Sequence, residues 1–231
     1  MTSMNKFILF LSCCLLFSCN QPIEKKINTE EAIRLITESY ELISPKSPSS
    51  LLILFPCFPC DAKNTKTEFN IEELAFANNI ATLHLNFNRH LWLSLQEKKD
   101  LEQIILAVLQ ENKIQTKNIF IGGFSSGGNV SLLLGDYLKS VNSEIQVKGI
   151  FIVDSPIDLQ GLYHTAKKNI EKGFSEVAVE EAKWIVAKFE NEFGIGDTSL
   201  DRYLQKSPYI STMNSLNNLS NLQNVQIRLY T

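Results

Sequence analysis

Along residues 51–230, short and almost continuous apolar runs alternate with stretches whose apolar residues recur at helical spacing. The runs fall at 51–55, 80–86, 118–122, 147–154 and 225–230. Runs of this length without polar alternation fit strands buried on both faces, as in a parallel sheet covered by helices on both sides. Helices are expected between them, near 67–79, 95–112 and 126–139. The second opens with Ser94 and Glu97 in capping-box spacing and sets Leu101, Ile104, Ile105 and Val108 on one face. The fold class is therefore α/β, with a mostly parallel sheet. Residues 156–224 hold more chain than one crossover helix needs. Ala178, Ala182, Ile185, Val186, Phe189 and Phe193 share a helical face there, which predicts a helical side layer or a cap over a cleft. Upstream, Ala32, Leu35, Ile36, Tyr40 and Ile43 follow cap candidates Asn28 and Thr29 at helical spacing, predicting an N-terminal helix; "SPKSPSS" at 44–50 then reads as a linker.

The N-terminus follows another rule. Lys6 precedes an apolar run at 7–17, too short to span a bilayer but suited to the core of a secretory signal. Leu16-Phe17-Ser18-Cys19 resembles the lipobox of bacterial lipoproteins, although Phe17 is bulkier than the usual residue. The resemblance implies a signal peptide at 1–18 and lipid on Cys19. It also implies an exported chain held at a membrane, periplasmic or on the cell surface. Residues 19–50 then become a tether with its helix, and 51–231 one α/β domain. A chain of 231 residues suits a single core. A net charge of −3 leaves no footprint for nucleic acid. Removal of the signal, with Cys13 and Cys14, and lipidation of Cys19 would leave Cys57 and Cys60 as the thiols of an oxidising compartment.

The chemistry concentrates at Gly123-Phe124-Ser125-Ser126-Gly127, followed by Gly128. A turn from a buried strand straight into a helix strains its central residue and presses backbone segments together, so its flanks must be small. Centring the turn on Ser126 would put Phe124 where bulk is least tolerated, so Ser125 is the expected nucleophile. No lysine follows the glycines, which argues against a phosphate-cradling loop. Strand, G-x-S-x-G and helix together resemble the nucleophile elbow of the α/β-hydrolase family, with matching element order over roughly residues 51–230. The resemblance implies hydrolysis of an ester or other acyl substrate through an acyl-enzyme on Ser125, with no cofactor and no metal. It makes the Ser126 N–H one oxyanion donor and places the second in "PCFPCDAKNT". Phe58 is favoured there and Cys57 is the alternative, because Pro59 has no N–H. Family loops at this point are usually rich in glycine, often with a histidine; this one has neither. Phe58 and Phe124 point to an apolar cleft.

A serine needs a base, and the family order is serine, acid, histidine. The sequence ends at "VQIRLYT", where the resemblance would put the acid loop. It therefore implies a truncated, impaired hydrolase lacking its final strand and helix, with 225–230 left as an exposed apolar edge. His84 lies inside an apolar run and reads as a satisfied core residue; His90 follows that run and could reach the cleft rim. Asp154 and His164 are the substitute acid and base. Two other readings stand beside the hydrolase: a noncatalytic binding lipoprotein on the same fold, and a thiol–disulfide redox protein. The second rests on Cys57-Phe58-Pro59-Cys60, which lies after a strand as in thioredoxin-like proteins. The polar "DAKNTKT" delays the next helix and favours a plain local disulfide or idle thiols. Zinc lacks a second ligand pair.

Overall fold

The computed structural model describes residues 32–115, 117–194 and 200–231; the expected signal peptide, Cys19 and most of the tether lie outside them. Among the described residues seven strands form one sheet: β1 (Ala32–Ile36), β2 (Tyr40–Pro45), β3 (Ser50–Phe55), β4 (Ile80–Leu85), β5 (Ile119–Phe124), β6 (Val147–Val153) and β7 (Gln226–Tyr230). Their order is β1-β2-β4-β3-β5-β6-β7. β1–β2 and β2–β4 pair antiparallel, and every pairing from β4 through β7 is parallel. The carboxyl ends of β3 to β7 therefore share one rim, and β3 lies directly beside β5.

The expected N-terminal helix is instead the β1–β2 hairpin, a correction that also extends the sheet upstream of residue 51. Thr37 closes the turn, its hydroxyl accepting from the N–H groups of Ser39 and Tyr40 at 3.2 and 3.0 Å. The same apolar residues fit a helix and a hairpin, and tertiary pairing decides between them. Alignment of Leu42 with Leu83 and of Ile43 with Thr82 buries both β2 side chains. Ser44 and Pro45, expected in a linker, finish that strand.

The helices are α1 (Ala62–Glu68), α2 (Glu72–Ala77), α3 (Leu95–Glu111), α4 (Ser126–Ser140), α5 (Leu159–Lys172), α6 (Glu176–Phe193) and α7 (Leu200–Lys206). Two short helices thus replace the single one expected at 67–79. The capping box of α3 forms, with Ser94 N–H donating to Glu97 Oε2 at 2.7 Å. β6 shows how the sheet divides its faces. A Cβ at Gly135 or Gly128 of α4 would meet Ile150 or Ile152, while Phe151 between them points to the opposite side, toward Phe69 at the end of α1. α4 is buried from Ser126 through Leu138 because the sheet lies below it and the 3₁₀ turn Asn217–Leu222 packs against it. Asp136 seats that turn, accepting from Asn221 N–H at 2.9 Å and Nδ2 at 3.1 Å.

α5 to α7 build a second core around Leu159, Tyr163, Phe189, Phe193 and Tyr203, joined to the main body through Leu91 and Trp92. Burial of each large side chain there is worth about 2 kcal/mol. β7 ends the sheet, with Ile227, Leu229 and Tyr230 exposed, as expected of an apolar edge. On the α1 side of β5, β6 and β7 runs a groove of about 680 Å³, lined by Phe69, Phe120, Phe124, Phe151 and Tyr230 among others. Among the described residues, no helix is long and apolar enough to cross a membrane.

Candidate active site

β5 delivers the chain to the rim and α4 carries it away, so the reversal falls on one residue. Ser125 takes φ 49° and ψ −120°, a conformation costly for a residue with a Cβ. Its N–H donates to Val153 O at 2.8 Å, and its carbonyl accepts from Gly128 N–H at 3.0 Å. The backbone is thereby pinned on both sides. The hydroxyl is not: Ser125 is the N-cap of α4 but makes no side-chain cap bond, and the residue is partly exposed.

Closure at the turn explains the glycines. A Cβ on Gly123 would lie 2.1 Å from the Gly127 carbonyl, and one on Gly127 would lie 2.5 Å from Pro56 O and 2.6 Å from Phe55 O. The second contact ties the elbow to the exit of β3. Gly128 faces Ser155 and Ile152.

The chain leaving β3 carries the segment expected to supply the second oxyanion donor. Cys57 and Cys60 form a disulfide, their Cα atoms 5.0 Å apart, and the Phe58–Pro59 bond is cis. Among the described residues the N–H groups of Cys57, Phe58 and Ser126 make no hydrogen bond. All three remain available as donors; Ser126 belongs to the elbow, and Cys57 and Phe58 follow β3, the strand paired with β5. The Phe58 ring lies 4.4 Å from Trp184 of α6, a contact between distant parts of the chain that no local pattern announces. Both cysteines precede Asp61, the N-cap of α1, so neither lies within the first turn of that helix.

Asn129, one turn beyond Ser125, was not anticipated. It is fully buried, and its Nδ2 donates to Leu91 O at 3.2 Å and to Pro156 O at 2.9 Å. It thereby fastens the loops after β4 and β6 to the elbow helix. Only its place after the glycine pair could have marked it.

The three histidines lie apart. His84 is fully buried on β4, with neither ring nitrogen hydrogen-bonded; the expectation of a satisfied core residue is half right. His90 Nδ1 lies 3.0 Å from Glu97 Oε1, and its ring stacks on Phe87 at 4.0 Å. Burial holds the His90 pKa below the ordinary histidine range, Glu97 pulling it up and Lys188 down. His164 is exposed on α5 and its ring packs edge-on to Tyr163 at 5.6 Å. Asp154 is also exposed, and its N–H donates to Tyr230 O at 2.8 Å. Among the described residues no hydrogen bond or ion pair joins Asp154 to His164, or any histidine to Ser125. No group of three or more potential ligands converges on a metal position among them either.

No family model and no curated protein matches the chain. Solved structures do. An esterase of Pyrobaculum calidifontis superposes with a TM-score of 0.55 over 86% of this chain and 65% of its own, at 10% identity. S-formylglutathione hydrolase of Staphylococcus aureus gives 0.48 over 86% and 89%, at 14% identity. A fluorophosphonate-binding serine hydrolase of the same organism gives 0.43 over 57% and 59%, at 14% identity. The chain thus spans a little under two-thirds of the Pyrobaculum esterase. The likeness to that esterase establishes the fold, an α/β-hydrolase architecture with a mostly parallel sheet flanked by helices.

Proposed function

We propose that the chain is a serine hydrolase that cleaves an ester or other small acyl substrate through an acyl-enzyme on Ser125. One observation carries the reading: a serine is forced to positive φ at the end of a parallel strand with its hydroxyl spared from capping, and the elbow abuts the exit of β3, whose next residues, Cys57 and Phe58, have N–H groups without hydrogen bonds. In the proposed reaction Ser125 Oγ attacks the acyl carbonyl. The developing oxyanion is received by the N–H groups of Ser126 and Phe58, the leaving group departs with a proton, and water then hydrolyses the acyl-enzyme. Ser125 has no imidazole in contact, and in a serine protease loss of the histidine costs about 10⁶-fold in turnover. The expected rate is correspondingly low. Reaction of the full chain with a fluorophosphonate probe tests the proposal: labelling lost in Ser125→Ala supports it, and no Ser125-dependent labelling or hydrolysis rejects it.

The absence of a histidine bonded to Ser125 favours a second reading, a noncatalytic binding protein on this fold. That reading requires ligand binding to survive Ser125→Ala unchanged while hydrolysis is absent throughout. For localisation we propose export and lipid attachment at Cys19, supported by the apolar run at 7–17 and the lipobox-like residues. Metabolic incorporation of labelled fatty acid, abolished by Cys19→Ser, is the corresponding test.

A further inference from the structure

The loop expected to complete the oxyanion hole lacks the means by which backbone donors are ordinarily held. Its base is fixed, because Phe55 and Pro56 carbonyls lie against Gly127 so closely that a single Cβ would collide with both. Its far end is fixed as well. Asp61 caps α1 by accepting from Asn64 N–H at 2.8 Å, and Ala62 N–H donates to Asn86 Oδ1 at 2.9 Å. Between these anchors Cys57 and Phe58 donate no hydrogen bond, yet catalytic donors must be held to within about 0.5 Å. Three contacts remain to do the holding: the Cys57–Cys60 disulfide, the Phe58 ring on Trp184, and one long hydrogen bond, donated by Asn88 Nδ2 to Pro59 O at 3.5 Å.

We infer that the Cys57–Cys60 disulfide is a positioning device that holds the Phe58 N–H toward Ser125, so that hydrolysis depends on the pair being oxidised. The inference rests on the serine-hydrolase reading. Both cysteines are partly exposed, so a small dithiol reaches them. One thiolate of the dithiol attacks a cysteine sulfur, the S–S bond breaks, and the other cysteine leaves as a thiolate and takes up a proton. The second thiol of the reductant then resolves the mixed disulfide. Two electrons pass to the protein, Cys57 and Cys60 end as thiols, and the reductant ends as a disulfide. The freed loop no longer aims its donor. Loss of one oxyanion donor lowers kcat by about 10²-fold or more, because that bond is made in the transition state; KM stays nearly constant.

The test uses the full chain oxidised, reduced with dithiothreitol, and as C57S/C60S, assayed for ester hydrolysis and fluorophosphonate labelling, with Ser125→Ala as blank. Reduction is expected to lower kcat about 10²-fold with KM within twofold. Removal of the reductant and reoxidation should restore it, and C57S/C60S should match the reduced rate and ignore the dithiol. Equal kcat in all three forms, or a rise in KM at constant kcat, overturns the inference. A second readout does not depend on turnover. The chain has two tryptophans, so in Trp92→Phe the emission reports on Trp184 alone, and its maximum should move to the red on reduction. An unmoved maximum overturns the clamp even if hydrolysis falls. Absence of Ser125-dependent labelling in the oxidised chain instead rejects the hydrolase, and with it any oxyanion role for a clamp that the emission still detects.

Discussion

His84 makes the stability of the fold depend on pH, and the structure sets the direction and size. Its side chain is fully buried, both nitrogens lack hydrogen bonds, and Glu72 Oε1 lies 3.4 Å from Nε2. Burial, reinforced by the charge of Lys66, lowers its pKa to about 4 from an ordinary 6.5. Below pH 6.5 the unfolded chain takes up a proton that the folded chain refuses until about pH 4, so folding loses stability as the pH falls through that window. At about 1.4 kcal/mol for each pH unit, the full loss is on the order of 3 kcal/mol, and about 2 kcal/mol of it arrives by pH 5. Glu72 works the other way. Its pKa is raised, chiefly by burial, so its folded form takes up a proton early and offsets part of the loss. Urea unfolding at pH 7 and pH 5 measures the balance. His84→Leu keeps the volume and removes the titrating ring, so its stability should change less between the two pH values than that of the natural chain. Equal changes in both would refute the assignment.

Three substitutions probe the elbow and its surroundings. Ser125→Gly should abolish labelling yet raise stability by about 1 kcal/mol, because glycine adopts φ 49° without strain; a loss of stability would remove the argument from strain. Gly127→Ala drives a methyl group into the carbonyls of Pro56 and Phe55 and should cost about 2 kcal/mol or more in urea unfolding, with labelling lost as the two loops part. Asp136→Ala removes the charged acceptor of both Asn221 donors and should cost about 2 kcal/mol, the scale of a hydrogen bond to a charged group. Hydrogen exchange in β7 should speed up, since the turn before that strand loses its seat, and protection equal to that of the natural chain would contradict this.

The parts of the fold visible in the sequence are those set by local chemistry. The Ser94–Glu97 box, the glycines around Ser125 and the apolar runs of the five parallel strands act over a few residues, and all lie where their spacing put them. Residues 32–45 misled because five apolar side chains satisfied helical spacing while the alternative depended on β4, a partner some forty residues downstream. The same limit hid Asn129, Trp184 and Asp136, whose partners at Leu91, Phe58 and Asn221 become neighbours only after folding. Burial cost is hidden too. A histidine in an apolar run looks like any core residue until the surrounding atoms prove to offer it no bond.

The aromatic groove on the α1 side of β5 to β7 bears on how the molecule must be handled in the laboratory. A folded state that already presents Phe69, Phe120, Phe124 and Phe151 to solvent should bind environment-sensitive dyes such as anilinonaphthalene sulfonate before any heat is applied. Dye-based melting scans would then start bright and fade or drift, and a well-folded preparation would be mistaken for a damaged one. Circular dichroism, which reads the backbone, is the appropriate thermometer for this chain.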